Sequence, residues 1–316
     1  MCRRAPAPSV EHMNTNRISP HVVEAKGLTK RFGDRVAVDH VDLRIPAGSA
    51  FGYLGPNGAG KTTLIRMLLG LTPATAGEMR LLGHPMPAGR AAALARVGAI
   101  VEEPRSHPFL TGRENLEIVA AAREPEAHRR IDGALARAGL TSRADDRVKT
   151  YSLGMRQRLG VARTLLGDPE LLILDEPMNG LDPAGMEDMR IMIRGLVAEG
   201  RTVVLSSHLL DEVEKTCDEI AIVDRGRVVV QGSIDELTGD AGTVLVATSN
   251  DLRARALLDG RVLESVEDGL RVRAADAAAI NRRLVEAGID VHRLEPERVS
   301  LERRFLEITS RLEAAA

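Results

Sequence analysis

Hydrophobic and polar residues alternate near the start of the chain, from about residue 21 to residue 45. The segments HVVEAKGLTKRF and VAVDHVDLRI both have the two-residue period of half-buried β-strands. Gly33 and Asp34 lie between them and are residues typical of turns. We therefore expect a β-rich opening region in which two strands are joined by a turn.

The middle of the chain alternates short apolar runs with helical patterns. SAFGYLG, LLILDEP and TVVLSSH are predicted strands, and the continuous apolar character of LLILDEP is typical of a strand buried on both faces. In KTTLIRMLLGL the spacing places Leu64, Ile65, Leu68 and Leu71 on one helical face. Residues 114–167 are expected to form several helices, and EIAIVDRGRVVVQGS a hairpin. This order predicts an α/β core with a parallel sheet.

The pattern changes after about residue 237. The remaining segments predict strand, helix, strand, strand, helix and strand, which is the split βαβ plan of a small α+β domain and allows a ferredoxin-like fold. We therefore expect an accessory domain over residues 238–316 and a main domain over residues 21–237. Residues 1–20 are basic and Pro-rich, lack the apolar core of a secretory signal, and are expected to be a disordered tail. Met1 and Met13 both remain candidate translation starts.

Composition narrows the functional classes. Among 316 residues, 43 Lys and Arg against 45 Asp and Glu leave a net charge of −2, and aromatic residues make up 2% with no Trp. This predicts neither the basic surface nor the stacking residues of a nucleic-acid-binding protein. Cys2 and Cys217 are too few for a disulfide framework, which fits a reducing compartment. Because no apolar run approaches the roughly 18–20 residues that span a bilayer, we expect a cytoplasmic protein.

The strongest motif is GPNGAGKT, which fits the pattern G-x-x-x-x-G-K-[ST] of a phosphate-binding loop between a strand and a helix. Glycines remove Cβ atoms where the backbone must approach a polyphosphate or adopt a positive φ. Lys61 supplies a mobile positive charge for the β- and γ-phosphates, and the helix that begins here directs its positive dipole end at them. The predicted nucleotide-binding residues are Gly55, Pro56, Asn57, Gly58, Ala59, Gly60, Lys61, Thr62 and Thr63.

Acidic residues and a histidine follow two of the predicted core strands. Asp175 ends the strand LLILD, where a Mg²⁺ ligand is expected together with the Thr62 hydroxyl. Glu176 is placed to polarise the attacking water as a general base. His208 follows the strand TVVLSS and is a candidate sensor of the γ-phosphate, the alternative being an ordinary polar residue at a strand end.

Together these residues resemble the ATP-binding subunit of ABC transporters. YSLGMRQRLGVARTLL is similar to the signature segment of that family, MNGLDP to its D-loop and SSH to its switch histidine. The resemblance covers about residues 21–237 and implies an ABC-type P-loop ATPase domain with a RecA-like parallel core, an antiparallel β subdomain and a helical subdomain. It also implies a homodimer that holds two ATP molecules between its ATPase domains, with Mg²⁺ as cofactor.

The same resemblance assigns further residues. Phe32 would stack on adenine, although a half-buried core phenylalanine is the alternative. Ser152, Gly154 and Met155 belong to the segment that would contact the ATP of the partner copy at a helix N-terminus. Asp182 would support communication between the two sites, in trans like the signature residues.

Two positions depart from the family pattern. VGAIVEEP places Glu102 where most members carry a Gln that meets the metal, with Glu103 as the alternative alignment. In the signature, Leu153 replaces a Gly and Met155 replaces a Gln. Both variants resemble the bacitracin, lantibiotic and daunorubicin-resistance branch of export ATPases, and LERRFLEITSRL is similar to the C-terminal extensions found there.

The resemblance implies an ATPase that powers export of a drug, antibiotic or peptide through a separate transmembrane permease, with the chain peripheral on the inner face of the membrane. Phe109 and Leu110 lie in the region that would receive the permease, or are ordinary loop packing. Two alternatives remain open: an ATPase subunit of an uptake system, and a non-transport ABC protein acting on nucleic acid or ribosomes. The accessory domain is either dimer-stabilising or regulatory, or a simple appendage.

Overall fold

The computed structural model describes residues 20–102, 104–274 and 276–314. The strands are, in chain order, β1 (His21–Phe32), β2 (Arg35–Pro46), β3 (Ala50–Leu54), β4 (Ala76–Leu81), β5 (His84–Met86), β6 (Val97–Ile100), β7 (Leu171–Asp175), β8 (Thr202–Ser207), β9 (Glu219–Asp224), β10 (Arg227–Ser233), β11 (Asp240–Thr248), β12 (Val262–Val266), β13 (Gly269–Arg273) and β14 (Val291–Arg298). The α-helices are α1 (Lys61–Leu68), α2 (Arg90–Leu94), α3 (Gly112–Ala121), α4 (Glu126–Arg129), α5 (Ile131–Arg137), α6 (Leu153–Leu165), α7 (Pro183–Ala198), α8 (Leu210–Thr216), α9 (Ile234–Leu237), α10 (Asp251–Leu257), α11 (Ala277–Glu286) and α12 (Leu301–Ala314).

The central sheet has the strand order β10-β9-β3-β8-β7-β6. Its strands pair in parallel except for β10, which forms the predicted antiparallel hairpin with β9. Every residue of β3, β7 and β8 is buried, as their apolar sequences predict. Since parallel strands end at one edge of the sheet, the residues that follow β3, β7 and β8 converge there.

The two faces of the central sheet pack against different layers. Leu171 and Ile173 of β7 face a cluster shared with α1 and with the antiparallel sheet β2-β1-β4-β5. Leu172 and Leu174 face the opposite cluster, which is filled by helices α3 to α8. The alternation follows from the two-residue period of a strand. The predicted α/β class, with an antiparallel subdomain and a helical region, is confirmed.

Helix α1 ends earlier than the apolar periodicity predicts. Gly70 adopts a φ of 64°, its N–H donates to the Met67 carbonyl, and the Leu71 N–H donates to the Arg66 carbonyl. These two bonds form a Schellman motif, which stops the helix. The expectation that Leu71 shares the buried face is therefore wrong: Leu71 is 59% exposed.

The C-terminal sheet is antiparallel, with the strand order β12-β13-β11-β14. Its element order is strand, helix, strand, strand, helix, strand, and Val244 and Val272 of the sheet pack with Ile280 and Leu284 of α11 in a separate cluster. This is a split βαβ arrangement, which agrees with the α+β fold expected for this part of the chain. The domain boundary at residue 237 remains a prediction.

Several expectations lie beyond these observations. The proposed tail, apart from Pro20, and Glu103 lie outside the described residues. Within the residues that are described, no helix is both long and apolar enough to cross a membrane. Cys217 is buried at the end of α8, and burial raises the pKa of its thiol.

Candidate nucleotide site

The phosphate loop connects β3 to α1 at the carboxyl edge of the central sheet. Gly60 is the N-cap of α1 with a φ of 101°, and within the described part of the chain no side chain caps the first N–H groups of the helix. A Cβ added to Gly60 would lie 2.2 Å from the Ala37 carbonyl oxygen, and one added to Gly55 would lie 2.4 Å from that of Val223. Both positions therefore require glycine. The uncapped N–H groups are available to an anionic ligand.

Lys61 is almost fully buried at the start of α1. Its Nζ donates to the Gly55 carbonyl at 2.7 Å and lies 3.1 Å from Glu176 Oε1. The loop thus holds the ammonium group beside the strand end that carries the acidic residues. A buried lysine of this kind needs such oxygen partners because its charge is removed from water.

The end of β7 is organised by a serine on the neighbouring strand β8. Ser206 Oγ donates to Asp175 Oδ1 and accepts the Glu176 N–H at 2.9 Å. Asp175 is buried, while Glu176 has a φ of 48°, in the left-handed region that non-glycine residues seldom adopt. Such backbone conformations persist where surrounding contacts hold them, and they are frequent at functional sites.

His208 completes a short chain of polar contacts. Its Nδ1 lies 2.9 Å from Glu176 Oε2, so the two carboxylate oxygens of Glu176 face Lys61 on one side and His208 on the other. The structure therefore brings together three residues that the sequence singles out separately. Glu176 is positioned by both neighbours beside the phosphate loop.

A cavity of about 380 Å³ lies next to this chain of contacts. Phe32 is 52% exposed at its edge, and Lys30 Nζ lies 4.8 Å from the centre of the ring. Its stacking on adenine remains a prediction. The lining residues are Phe32, Arg35, Ala37, Asn57, Gly58, Gly60, Lys61, Thr62, Thr63 and Glu176.

The signature segment lies at the start of α6, and the contacts that hold it are made within the same chain. Ser152 caps the helix by accepting the Met155 N–H at 3.2 Å. The preceding Tyr151 is buried, which raises its pKa, and its hydroxyl donates to the Arg143 carbonyl at 2.6 Å. Ser152 itself is exposed. Tyr151 thus anchors a segment whose serine faces solvent.

The D-loop lies beside the signature helix. Asp182 caps α7 by accepting the Gly185 N–H at 3.0 Å, and Gly154 lies close to Gly185. Leu153, which replaces a glycine of the usual signature, lies 3.3 Å from the point where a Cβ of Gly180 would stand. The missing side chain of Gly180 therefore leaves room for Leu153. In the described part of the chain, none of these residues lines the phosphate-loop cavity.

Glu102 does not join the cavity lining of the described residues. It has a φ of 69° and forms an ion pair with Arg66 of α1, with most of its side chain exposed. Its assignment as a metal ligand therefore remains a prediction, whereas its pairing with Arg66 is a contact that the sequence does not signal.

The donor set suits Mg²⁺ only in part. The Thr62 hydroxyl and the Asp175 carboxylate are hard oxygen donors of the kind that Mg²⁺ prefers. Over the described ranges, no group of three or more His, Cys, Asp or Glu side chains could hold a metal ion by itself. These residues therefore fit a metal whose remaining ligands come from phosphate oxygens and water.

Comparison with known proteins identifies the class. A family model described as ABC transporter matches residues 38–179. The chain is 41% identical over 292 residues to the uncharacterised ABC transporter ATP-binding protein YhcH of Bacillus subtilis, covering 91% of this chain and 96% of the relative. It is 38% identical over 296 residues to the bacitracin transport ATP-binding protein BcrA of Bacillus licheniformis, covering 91% and 97%.

A solved structure agrees with these relatives. CbiO1 from Clostridium perfringens, described as part of the ABC transporter complex cbiONQ, superposes with a TM-score of 0.64 at 26% identity, covering 69% of this chain and 90% of the other. Fold and phosphate loop together define a P-loop ATPase. The chain belongs to the family of ABC transporter ATP-binding proteins, and ATP is its nucleotide.

Proposed function

We propose that this chain hydrolyses ATP as a homodimer with Mg²⁺ to drive export of a drug, antibiotic or peptide through a separate permease. The observation that carries the hydrolytic part is the placement of Glu176 between Lys61 and His208 beside the phosphate-loop cavity. The export assignment is supported by the relative named for bacitracin transport. We also propose that residues 238–316 form an accessory domain.

The contacts of Lys61 suggest how nucleotide binding prepares the base. In the structure, the Lys61 ammonium group forms an ion pair with Glu176 Oε1. An arriving γ-phosphate competes for the same ammonium and leaves the Glu176 carboxylate free to accept a proton from water. The water oxygen then attacks the γ-phosphorus as the bond to the leaving oxygen of ADP breaks. Bound Mg²⁺, held by Thr62 and Asp175, with Glu102 as a further candidate ligand, would neutralise phosphate charge.

The second half of the site is proposed to come from the partner copy. Ser152, Gly154 and Met155 start α6, whose N-terminus favours an anion, and Asp182 starts α7 beside it. Ser152 and Asp182 are exposed in the single chain. A second copy could therefore present its nucleotide to them.

An apolar groove offers a place for the permease. Its volume is about 380 Å³, and Leu71, 59% exposed, contributes to its lining together with Arg90 and Arg163. Phe109, which the sequence places in the region that would receive the permease, is 73% exposed but does not line this groove. The groove lining is Leu69, Leu71, Arg90, Leu94, Val97, Ala99, Ile100, Val101, Pro104 and Arg163. We assign it to a cytoplasmic segment of the permease.

Paired substitutions test the hydrolytic assignment. Glu176→Gln should bind ATP but lose a factor on the order of 10²–10⁴ in turnover, because it removes the general base. Lys61→Ala should instead weaken ATP binding by about 10- to 100-fold, because a charge-assisted contact is lost. Nucleotide binding and phosphate release would be measured separately. Equal turnover in the parent chain and Glu176→Gln would contradict the assignment of the base.

Purification from membranes tests the transport assignment. We expect a permease to co-purify with the chain, and its loss to sensitise cells to the exported compound. Turnover stimulated by DNA or ribosomes, with no membrane partner, would contradict export.

A further inference from the structure

The C-terminal helix α12 returns from the accessory sheet to the ATPase core. Leu301, its first residue, is fully buried within the hydrophobic cluster of the core helices, and Phe305 packs against the same cluster. The helix contacts α8 and α9, and Arg304 Nε donates to the Leu237 carbonyl at 3.0 Å. Thus α12 is an integral part of the core packing.

Helix α8 is the main contact of α12, and it begins directly after His208. Glu214 of α8 accepts the Leu301 N–H at 3.0 Å through Oε2. This carboxylate lies at the N-terminus of α12, where the helix dipole favours a negative charge. The contact therefore joins α8 to the start of α12 by charge and by a hydrogen bond.

The opposite side of α8 is attached to the ATPase core. Val213 is fully buried, and Glu212 forms an ion pair with Arg190 of α7 at 2.8 Å. Only Leu209 separates His208 from the first residue of α8. Because α8 is a short helix fixed between α7 and α12, its position sets the direction in which His208 leaves β8.

A cavity of about 360 Å³ joins the two regions directly. Its lining includes His208, the first residues of α8, Met186 of α7 and Glu302 of α12. The first turn of α12 therefore faces the same space as the histidine that contacts Glu176.

The accessory sheet is connected to this point by little flexible chain. Strand β14 ends at Arg298 and α12 begins at Leu301, while the Val299 N–H donates to the Gly239 carbonyl at 3.2 Å. The entry and exit of the accessory domain are thus held together next to α12. A displacement of the accessory sheet would be passed directly to α9 and α12, the two helices that flank it in the chain.

We propose that α12 is a positioning element for hydrolysis, which holds α8 and thereby keeps His208 in contact with Glu176. The accessory domain then sets the turnover rate without touching the nucleotide. This inference rests on the proposed roles of Glu176 and His208. It assigns a regulatory function to residues that are remote from the phosphate loop.

Glu214→Ala tests the proposal in the full-length chain, with Leu301→Ala as a second variant and Arg303→Ala as the matched control. Arg303 lies on α12, like Leu301, is exposed, and pairs with Glu307 of the same helix. We expect Glu214→Ala to lower kcat about 3- to 10-fold with unchanged ATP affinity. The control should keep the parent kcat, and circular dichroism would establish that each variant is folded.

A double-mutant cycle with His208→Ala separates positioning from a general structural effect. If α12 acts through His208, Glu214→Ala should lower kcat no further in the His208→Ala background. An unchanged kcat in Glu214→Ala, an equal loss in both backgrounds, or a parallel loss of ATP affinity would each overturn the inference. A parent chain whose turnover is insensitive to Glu176→Gln would instead overturn the proposed function itself.

Discussion

Two helix starts in this molecule have the same proposed ligand and opposite local chemistry. Helix α1 begins at Gly60 with no side-chain cap, and its first N–H groups face the phosphate-loop cavity. Helix α6 begins at Ser152, whose hydroxyl already caps the Met155 N–H. No side chain of the described residues caps the first start, whereas the second is capped within the single chain.

The difference explains how one chain can carry two unequal halves of a site. The phosphate loop depends on Lys61 and on glycines that let the backbone approach the phosphates closely. A single chain supplies all of these parts. The signature start, together with Asp182, is satisfied internally and exposed, which fits the proposal that it gains a ligand only when another copy presents one. Changes in the first region should therefore affect binding, and changes in the second should affect turnover.

The largest effect is expected at the phosphate loop. Gly60→Ala should lower ATP affinity about 100-fold, because a Cβ would lie 2.2 Å from the Ala37 carbonyl and the φ of 101° is strained for alanine. Gly58→Ala is the matched control. It also has a positive φ, but nothing lies within 4 Å of its added Cβ, so about a tenfold loss or less is expected. Equal losses in titration calorimetry would contradict the close-approach argument.

A smaller effect is expected at the signature helix. Ser152→Ala should cost about 1 kcal/mol of unfolding free energy through the lost cap and leave ATP affinity unchanged. Turnover should fall about tenfold or more because a donor to the partner's nucleotide is removed. Thr111→Ala is the control, since Thr111 caps α3 in the same way. If Thr111→Ala lost turnover equally, the loss would reflect stability alone.

The smallest effect is expected at the edge of the cavity. Phe32→Ala should weaken ATP binding by about 1 kcal/mol, because a ring that stacks on adenine would be removed. Inorganic tripolyphosphate lacks the base, so its affinity should be unchanged in the variant. A matching loss for tripolyphosphate would show that Phe32 supports the loop and does not contact adenine.

Much of this fold was predictable because its elements carry strong local patterns. The buried runs of β3, β7 and β8 and the glycines of the phosphate loop are visible without any long-range information. The early end of α1 was harder to predict, because apolar residues continue through Leu71 while Gly70 closes the helix. There the C-terminal glycine decides the boundary, and the apolar periodicity does not.

The contacts between distant parts of the site were not predictable from the sequence. Ser206, which organises the end of β7, is separated from Asp175 by 31 positions, and only the register of β7 and β8 brings the two together. The pairing of Arg66 with Glu102 depends in the same way on tertiary placement. Ser206 in TVVLSSH could have signalled this contact, since a hydroxyl within a buried strand requires a polar partner.

The hydroxyl of Ser206 serves two consecutive residues of β7 at once. Its proton is committed to Asp175, and its lone pair receives the backbone N–H of Glu176. The unusual backbone angle of Glu176, the proposed base, is therefore maintained from the adjacent strand, the one that leads to His208. Strand slippage there would misplace Asp175, Glu176 and His208 together, so this part of the enzyme should lose its alignment as a unit or keep it entirely.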